Sequence, residues 1–63
     1  MKFYRIVVLI DADNTNLDNL EKLMQYISTR GRIVVKRAYG NWSENIKNKK
    51  SALQQSGFKT EHY

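Results

Sequence analysis

The sequence contains no cysteine and no proline, and its glycines are limited to Gly31, Gly40 and Gly57. Without cysteine, neither a disulfide framework nor a thiolate metal site stabilises the fold. The lack of cysteine suits the reducing cytoplasm, and we expect that location.

Long hydrophobic runs are also absent, since the longest covers residues 6–10. A membrane-spanning helix needs about 20 apolar residues, so we expect no membrane segment. Lys2 and Arg5 come before or at the start of this apolar stretch, as the basic residues of a signal peptide would. The stretch is shorter than the usual core of about 7–15 residues and ends in aspartates, so we expect no signal peptide.

The length of 63 residues allows one domain at most. A domain of this size buries only about 60% of the surface that its unfolded chain exposes, so its core is marginal. Eleven Lys and Arg against six Asp and Glu give a net charge of +5. This excess favours a polyanionic partner such as nucleic acid, while an ordinary basic surface remains the alternative.

The first half of the chain predicts a strand followed by a helix. Residues 3–10 are almost continuously apolar, which is typical of a strand covered on both faces of a parallel sheet. After a polar turn, Thr15 and Asp18 have the spacing of a capping box. An apolar stripe then predicts the first helix, with Arg30 in its last turn and Gly31 as a left-handed stop. The stripe comprises Leu17, Leu20, Leu23, Met24 and Ile27.

The second half predicts a strand over residues 32–39, a loop over residues 40–43, a second helix and a strand over residues 58–63. Ser43 is expected to cap the second helix and Gly57 to end it. Ile46, Ala52 and Leu53 are expected to face inward, and Lys47, Lys49 and Lys50 outward. The order β-α-β-α-β predicts an α/β fold with a parallel sheet.

Three strands and two helices would leave a sheet edge and a sheet face incomplete. We therefore expect residues 1–63 to form the N-terminal portion of a single larger domain. Association with a second copy or with the missing half would complete the sheet. A small standalone domain is the alternative.

Oxygen-bearing side chains follow the first strand. In open α/β sheets, ligands bind beyond the carboxyl ends of the strands, where Asp11 lies. Asp13 and Asn14 follow in the turn, and Mg²⁺ and Mn²⁺ prefer such oxygen ligands. Helix capping and Asx-turn hydrogen bonding are the alternative roles for Asn14 and Thr15.

Two segments resemble the NYN domain family of PIN-like ribonucleases. They are Ile-Asp-Ala-Asp-Asn at residues 10–14 and Tyr-Gly-Asn-Trp-Ser at residues 39–43, separated by the leucine-striped helix. They look like the I-D-x-x-N and Y-G-[DN]-W motifs of a bacterial subgroup, over the first half of the family's domain. The resemblance implies a Rossmann-like, three-layer fold and hydrolysis of RNA phosphodiesters with Mg²⁺ or Mn²⁺.

The resemblance also implies roles for particular residues. Asp11 matches the first metal-binding aspartate, Asn14 matches the asparagine of the same motif, and Asp13 lies where members often carry an acidic residue. These three would be catalytic, with Asp11 and Asp13 on the metal. Further aspartates of the family come from the later half of its domain, so we expect this chain to be incomplete as a catalyst on its own.

An RNA-contacting set is expected around this site. Tyr39 and Trp42 would stack on bases, although core packing is the alternative for both. Asn41 lies where relatives often have aspartate. The remaining expected contacts are Asn14, Thr15, Lys47 and Lys50, with Lys36, Arg37 and Lys49 adding to a surface that follows the RNA backbone.

Two other functions stay open on the sequence alone. Residues 11–15 spell the D-x-D-x-T motif of haloacid dehalogenase-like phosphatases, with Asp11 as nucleophile and Asp13 as general acid/base. Those proteins usually have glycine in place of Asn14, and their motif does not account for residues 39–43. A non-catalytic RNA-binding or protein-interaction module is the third possibility.

Overall fold

The computed structural model describes residues 4–43 and 46–63, which form a parallel sheet and two helices. The elements are β1 (Arg5–Asp11), α1 (Leu20–Ser28), β2 (Arg32–Gly40), α2 (Lys47–Gln55) and β3 (Lys59–His62). The strands lie in the order β1-β2-β3, and both neighbouring pairs are parallel. The predicted α/β class, element order and parallel sheet are therefore confirmed.

Both helices cover the same face of the sheet. Leu20 of α1 and Leu53 of α2 pack into one core with Ile10 of β1 and Ala38 of β2. The strand order follows the chain order, so two crossovers of the same hand place both helices on one side. The described residues thus form two layers, and the third layer expected of a Rossmann-like fold is not among them.

The opposite face of the sheet is open among the described residues. Val7 and Leu9 are 54% and 61% exposed there, whereas Ile10 faces the helices and is buried. We call this surface the open face; it carries Val7, Leu9, Asp11, Val35, Arg37, Tyr39, Lys59, Glu61 and Tyr63. The expectation that β1 is covered on both faces is therefore wrong for the described structure, where apolar side chains on one side of β1 lack a covering layer.

A β-bulge in β2 decides which side chains reach the open face. Ile6 pairs with Ile33 but Val7 pairs with Val35, so Val34 is the extra residue. An extra residue moves every later side chain of that strand to the opposite face. The bulge consequently places Tyr39 on the open face, directly beside Asp11.

The start of α1 differs from the predicted capping box at Thr15 and Asp18. The helix begins at Leu20, and Asn19 is its N-terminal flanking residue. The side-chain oxygen of Asn16 accepts the backbone N–H of Asp18 at 2.9 Å. This Asx turn competes with helix formation and delays the start of α1.

The end of α1 was also wrongly predicted. The helix ends at Ser28, so Arg30 lies beyond its last turn, and Gly57 is the glycine that has a positive φ, of 87°. Gly31 instead permits a close approach of two chain segments, because a Cβ atom there would lie 2.6 Å from the carbonyl oxygen of Tyr4. Gly57 follows the end of α2, as predicted.

The second helix begins later than expected. It starts at Lys47 after Ile46, and the backbone carbonyl of Ser43 accepts the N–H of Ile46 at 3.0 Å. The Ser43 side-chain cap is therefore wrong, and residues 44–45 lie outside the described structure. Leu53 is buried as expected, but Ala52 is exposed because it lines open grooves beside α2. Neither described helix has the length and apolar character to cross a bilayer.

Candidate functional site

Asp11 occupies the carboxyl end of β1, in a row that crosses the sheet. The register pairs Asp11 with Tyr39 of β2, and Tyr39 in turn pairs with Glu61 of β3. Tyr63 follows the end of β3 and lines a small depression together with Asp11 and Tyr39. The parallel sheet thereby brings side chains from three distant segments to one edge.

The carboxylate of Asp11 is held by two donors. The hydroxyl of Tyr63 donates to its Oδ1 at 2.5 Å, and the side-chain amide of Asn14 donates to its Oδ2 at 2.8 Å. These bonds, the one from Tyr63 first, hold the pKa of the Asp11 carboxyl below its ordinary value of 3.8. The group is ionised at neutral pH, and its remaining lone pairs stay available to a ligand.

Tyr63 was missed by the sequence reasoning. Its hydrogen bond to the Asp11 carboxylate raises the pKa of Tyr63 to about 12, with desolvation and the negative charge of Asp11 adding to the effect. The hydroxyl therefore stays protonated and keeps donating at neutral pH. The sequence did contain one signal for it. Tyr63 ends the predicted third strand, and the carboxyl ends of parallel strands lie at the same edge of the sheet.

Asp13 connects the turn after β1 with the loop after β2. Both of its carboxylate oxygens accept the backbone N–H of Asn41, each at 3.2 Å. The two predicted motif segments thus meet through this shared hydrogen bond. Asn41 itself is exposed, and its backbone contributes to the site.

Lys49 ties α2 to the acidic turn, although the sequence predicted that it faces outward. Its ammonium group donates to the carbonyl oxygens of Ala12 and Thr15, at 3.0 and 3.1 Å. An open cavity of about 790 Å³ adjoins this contact, lined by residues of the turn together with Asn48 and Lys49. The sequence did not indicate this role, because the spacing of Lys49 does not distinguish it from the neighbouring lysines.

The predicted aromatic contacts lie in different surroundings. Tyr39 is half-buried on the open face, next to Asp11. Trp42 packs against the core, and its indole N–H donates to the carbonyl oxygen of Glu61 at 2.8 Å. The ammonium of Lys50 lies 5.9 Å from the centre of the Trp42 ring. Core packing, the alternative noted for both aromatics, therefore describes Trp42 better than Tyr39.

The basic residues divide between the two faces. Lys47 is exposed in the first turn of α2, and Arg37 is exposed on the open face. Lys36 instead faces the helices, where its ammonium donates to the carbonyl oxygen of Ser56 at 2.9 Å. Lys36 therefore does not share a surface with Arg37, contrary to the prediction.

The side chains present fit a divalent metal in their chemistry but offer few ligands. Among the described residues, no group of three or more His, Cys, Asp or Glu side chains is arranged to hold a metal ion. Asp11 and Asp13 provide two carboxylates in one turn. Mg²⁺ is commonly bound by one or two carboxylates, with water and substrate phosphate as the other ligands.

A family model for the NYN domain matches residues 5–63, from the start of β1 to the residue after β3. The chain belongs to the NYN domain family. A search of the curated proteins and a search of the solved structures found no match to it. The NYN assignment confirms the family predicted from the two segments, and it favours a nuclease-type, PIN-like fold over the phosphatase alternative.

Proposed function

We propose that this NYN chain carries part of a metal-dependent ribonuclease site, with Asp11 and Asp13 as ligands of Mg²⁺ or Mn²⁺. The observation that carries the proposal is the Asp11 carboxylate, which is fixed at the carboxyl end of β1 by Tyr63 and Asn14. An ionised, oriented carboxylate at this position is suited to a divalent ion that also contacts a phosphate.

Each residue of the site has a distinct task in this proposal. Asp11 and Asp13 would supply metal ligands, while Asn14 and Tyr63 orient the Asp11 carboxylate and keep it ionised. The bound metal would lower the pKa of a water molecule and offset the negative charge on the phosphate oxygens. Lys49 would hold the turn in place through the carbonyl groups it binds.

RNA is the substrate class that the surface supports. The net charge of +5 attracts a phosphate backbone, and exposed Lys47 and Arg37 are free to meet it at the surface. Tyr39 offers a half-buried ring beside Asp11 on which a base can stack. Asn41 and Thr15 border the same turn, and the cysteine-free composition fits a function in the cytoplasm.

Two carboxylates are fewer acidic groups than we expect a metal-dependent hydrolase to use. We therefore propose that residues 1–63 act as the N-terminal portion of a single NYN domain. Further acidic side chains from outside these residues would complete the catalytic site. On this proposal the chain alone binds metal and RNA but cleaves RNA poorly.

Metal binding is tested by titrating the chain with Mn²⁺ and following the paramagnetic broadening of its amide NMR signals. We expect selective broadening at Asp11, Asp13 and their neighbours. Asp11→Asn should weaken the binding by about tenfold, because a carboxylate ligand becomes a neutral amide. Glu21→Gln is the matched control, since it removes one negative charge from an exposed position on α1. Equal Mn²⁺ affinity in Asp11→Asn and the unmodified chain would contradict the assignment.

RNA binding and cleavage form the second test. Fluorescence anisotropy with single-stranded RNA should show binding that weakens as salt rises, and Tyr39→Ala should weaken it at constant salt. With Mn²⁺ present, we expect no appreciable cleavage by the chain alone. Rapid cleavage that Asp11→Asn abolishes would support the nuclease and overturn the incomplete site. Hydrolysis of a phosphomonoester through a phosphorylated Asp11 would favour the phosphatase instead.

A further inference from the structure

The loop after β2 contains a residue in a strained backbone conformation. Trp42 has a φ of 38° and is the one non-glycine residue with a positive φ among those that the structure describes. A bulky side chain rarely adopts this left-handed conformation, and such strain persists only where the surrounding structure holds it in place. Trp42 directly follows Asn41, whose backbone N–H donates to Asp13. The strain therefore lies one residue from the group that contacts a proposed metal ligand.

Three contacts hold Trp42 in this conformation. Its indole N–H donates to the carbonyl oxygen of Glu61 in β3 at 2.8 Å. Its ring packs against the buried core, and the ammonium group of Lys50 in α2 lies 5.9 Å from the ring centre. The side chain of Trp42 is thus anchored to a strand, to the core and to a helix, and these contacts offset the cost of the left-handed backbone.

The peptide unit between Gly40 and Asn41 is held at both of its polar groups. Its carbonyl oxygen accepts the backbone N–H of Tyr63 at 3.2 Å, and its N–H donates to both carboxylate oxygens of Asp13. Because a peptide unit is planar, a fixed carbonyl also fixes the direction of the N–H. The anchored Trp42 comes next in the chain, so the orientation of this peptide unit is set from both sides.

Gly40 leaves the space in which the Asp13 carboxylate lies. A Cβ atom at residue 40 would lie 3.3 Å from Oδ1 of Asp13 and 3.4 Å from the indole ring of Trp42. The carboxylate and the indole ring therefore both lie close to the backbone of the same glycine. A shift of the ring would change the space beside the carboxylate as well as the direction of the N–H that it accepts.

We propose that Trp42 is a positioning residue for Asp13. The anchored indole holds the left-handed backbone, this backbone directs the Asn41 N–H at Asp13, and the N–H fixes the carboxylate through a charge-assisted hydrogen bond. The inference rests on the proposed function, in which Asp13 is a ligand of Mg²⁺ or Mn²⁺. It gives Trp42 a role in metal binding in place of the base stacking expected from the sequence.

The two carboxylates of the site have separate supports. Asp11 is oriented by the side chains of Asn14 and Tyr63. Asp13 is contacted by a backbone N–H of the loop after β2, and that loop is the segment that Trp42 anchors. A change at Trp42 should therefore act on Asp13 and leave the hydrogen bonds of Asp11 in place.

Hydrogen exchange tests the positioning without any metal. Trp42→Phe keeps an aromatic ring but removes the indole N–H, so we expect the Asn41 amide to lose protection. The Ala12 amide, which donates to the carbonyl of Tyr39 at 2.8 Å, is the internal reference, because a general loss of stability would speed exchange at both amides. Tyr39→Phe is the matched control and should leave both amides unchanged. Equal acceleration at both amides in Trp42→Phe, or unchanged exchange at Asn41, would overturn the proposal.

A double-mutant cycle tests whether Trp42 acts through Asp13. Trp42→Phe should weaken Mn²⁺ binding by about tenfold, since loss of a group that orients a metal ligand has an effect of this size. In the Asp13→Asn background the same substitution should have no further effect, because the carboxylate that it positions is already absent. A merely structural role would weaken Mn²⁺ binding in both backgrounds, and that result would overturn the proposal.

Gly40→Ala reaches the same carboxylate while Trp42 stays in place, and it serves where Trp42→Phe fails to fold. The added methyl group would crowd Oδ1 of Asp13, so we expect a loss of Mn²⁺ affinity that disappears in the Asp13→Asn background. Circular dichroism checks that the fold is kept. Unchanged Mn²⁺ affinity in Gly40→Ala would contradict the close packing of the glycine, the carboxylate and the indole ring.

The outcomes separate this inference from the proposed function. If neither Asp11→Asn nor Asp13→Asn changes Mn²⁺ affinity, the proposed function fails, and exchange at the Asn41 amide alone decides whether Trp42 positions Asp13. If Asp13→Asn weakens Mn²⁺ binding and a folded Trp42→Phe does not, the proposed function stands and the positioning role of Trp42 is overturned.

Discussion

The two faces of the sheet have different tasks, although the same strands form both. On the helix-covered face, Ile10, Ala38 and Leu53 are buried in one core with Phe58. On the open face, Leu9 is 61% exposed and neighbours Asp11, whose carboxylate is oriented by polar donors. The comparison shows that alternation along one strand separates the residues that stabilise the fold from those that present the site.

The largest expected effect comes from removing apolar volume on the covered face. Leu53 is fully buried, so Leu53→Ala should lower the free energy of unfolding by about 2–5 kcal/mol, enough to unfold much of a domain this small. Urea unfolding followed by circular dichroism measures it. Leu9→Ala removes the same atoms from the open face and should change stability by about 0.5 kcal/mol or less. If both variants lost a similar amount of unfolding free energy, the two faces would not differ in their contribution to stability.

Lys49→Met tests the connection between the covered core and the acidic turn. Loss of two charge-assisted hydrogen bonds to the carbonyls of Ala12 and Thr15 should cost about 1–2 kcal/mol and speed amide exchange in the turn. Lys47→Met is the control, because Lys47 is exposed in the first turn of the same helix. Equal stability of the two variants would mean that the bonds of Lys49 are unimportant in solution.

The hydrogen bond from Tyr63 to Asp11 on the open face predicts that one tyrosine ionises at a higher pH than the others. Because the pKa of Tyr63 is raised to about 12, one of the four tyrosines should ionise late in an alkaline titration followed by phenolate absorbance. The contribution of this bond to stability is complete below the ordinary pKa of 10.0 and is lost as the pH rises through about 12. Asp11→Asn should return the late tyrosine to the ordinary range. An unchanged titration in Asp11→Asn would rule out the contact.

The smallest expected effect is the loss of folding stability at acid pH, when the Asp11 carboxylate becomes protonated. The folded-state pKa of Asp11 is lowered, so its contribution to stability is present above 3.8 and is lost as the pH falls through the lower folded value. Tyr63→Phe should raise the pKa of Asp11 toward 3.8, as measured by the NMR signal of its carboxyl carbon. Tyr4→Phe, at a residue that is 71% exposed, is the control and should leave that pKa unchanged.

Hydrophobic pattern, together with glycine and turn signals, was enough to predict the order of the elements of this fold. The continuous apolar run and the leucine stripe located β1 and α1 to within a few residues, because burial and helical spacing leave clear marks in a sequence. Element ends were less predictable, since Asn16 binds the backbone of Asp18 and Gly31 is required by close packing with Tyr4. Both effects depend on local or tertiary geometry that spacing does not encode.

The candidate site was predictable only in part. Asp11 was found because it ends an apolar strand, where ligands bind in such sheets. Tyr63 and Lys49 were missed because each reaches the site across a long stretch of chain, through hydrogen bonds that no motif records. The β-bulge at Val34 is equally hidden in the sequence, yet it decides that Tyr39 shares a face with Asp11.

The bond between Tyr63 and Asp11 also has a consequence for the order of folding. It joins residues 52 positions apart, so it closes a loop of most of the chain. Contacts of such long range form late, after the entropy of ordering the intervening segments has been lost. The Tyr63 hydroxyl can therefore donate to Asp11 only after β3 has paired with β2. A ligand that binds the oriented carboxylate would stabilise the docked strand, and protease resistance of the C-terminal segment should rise with its concentration.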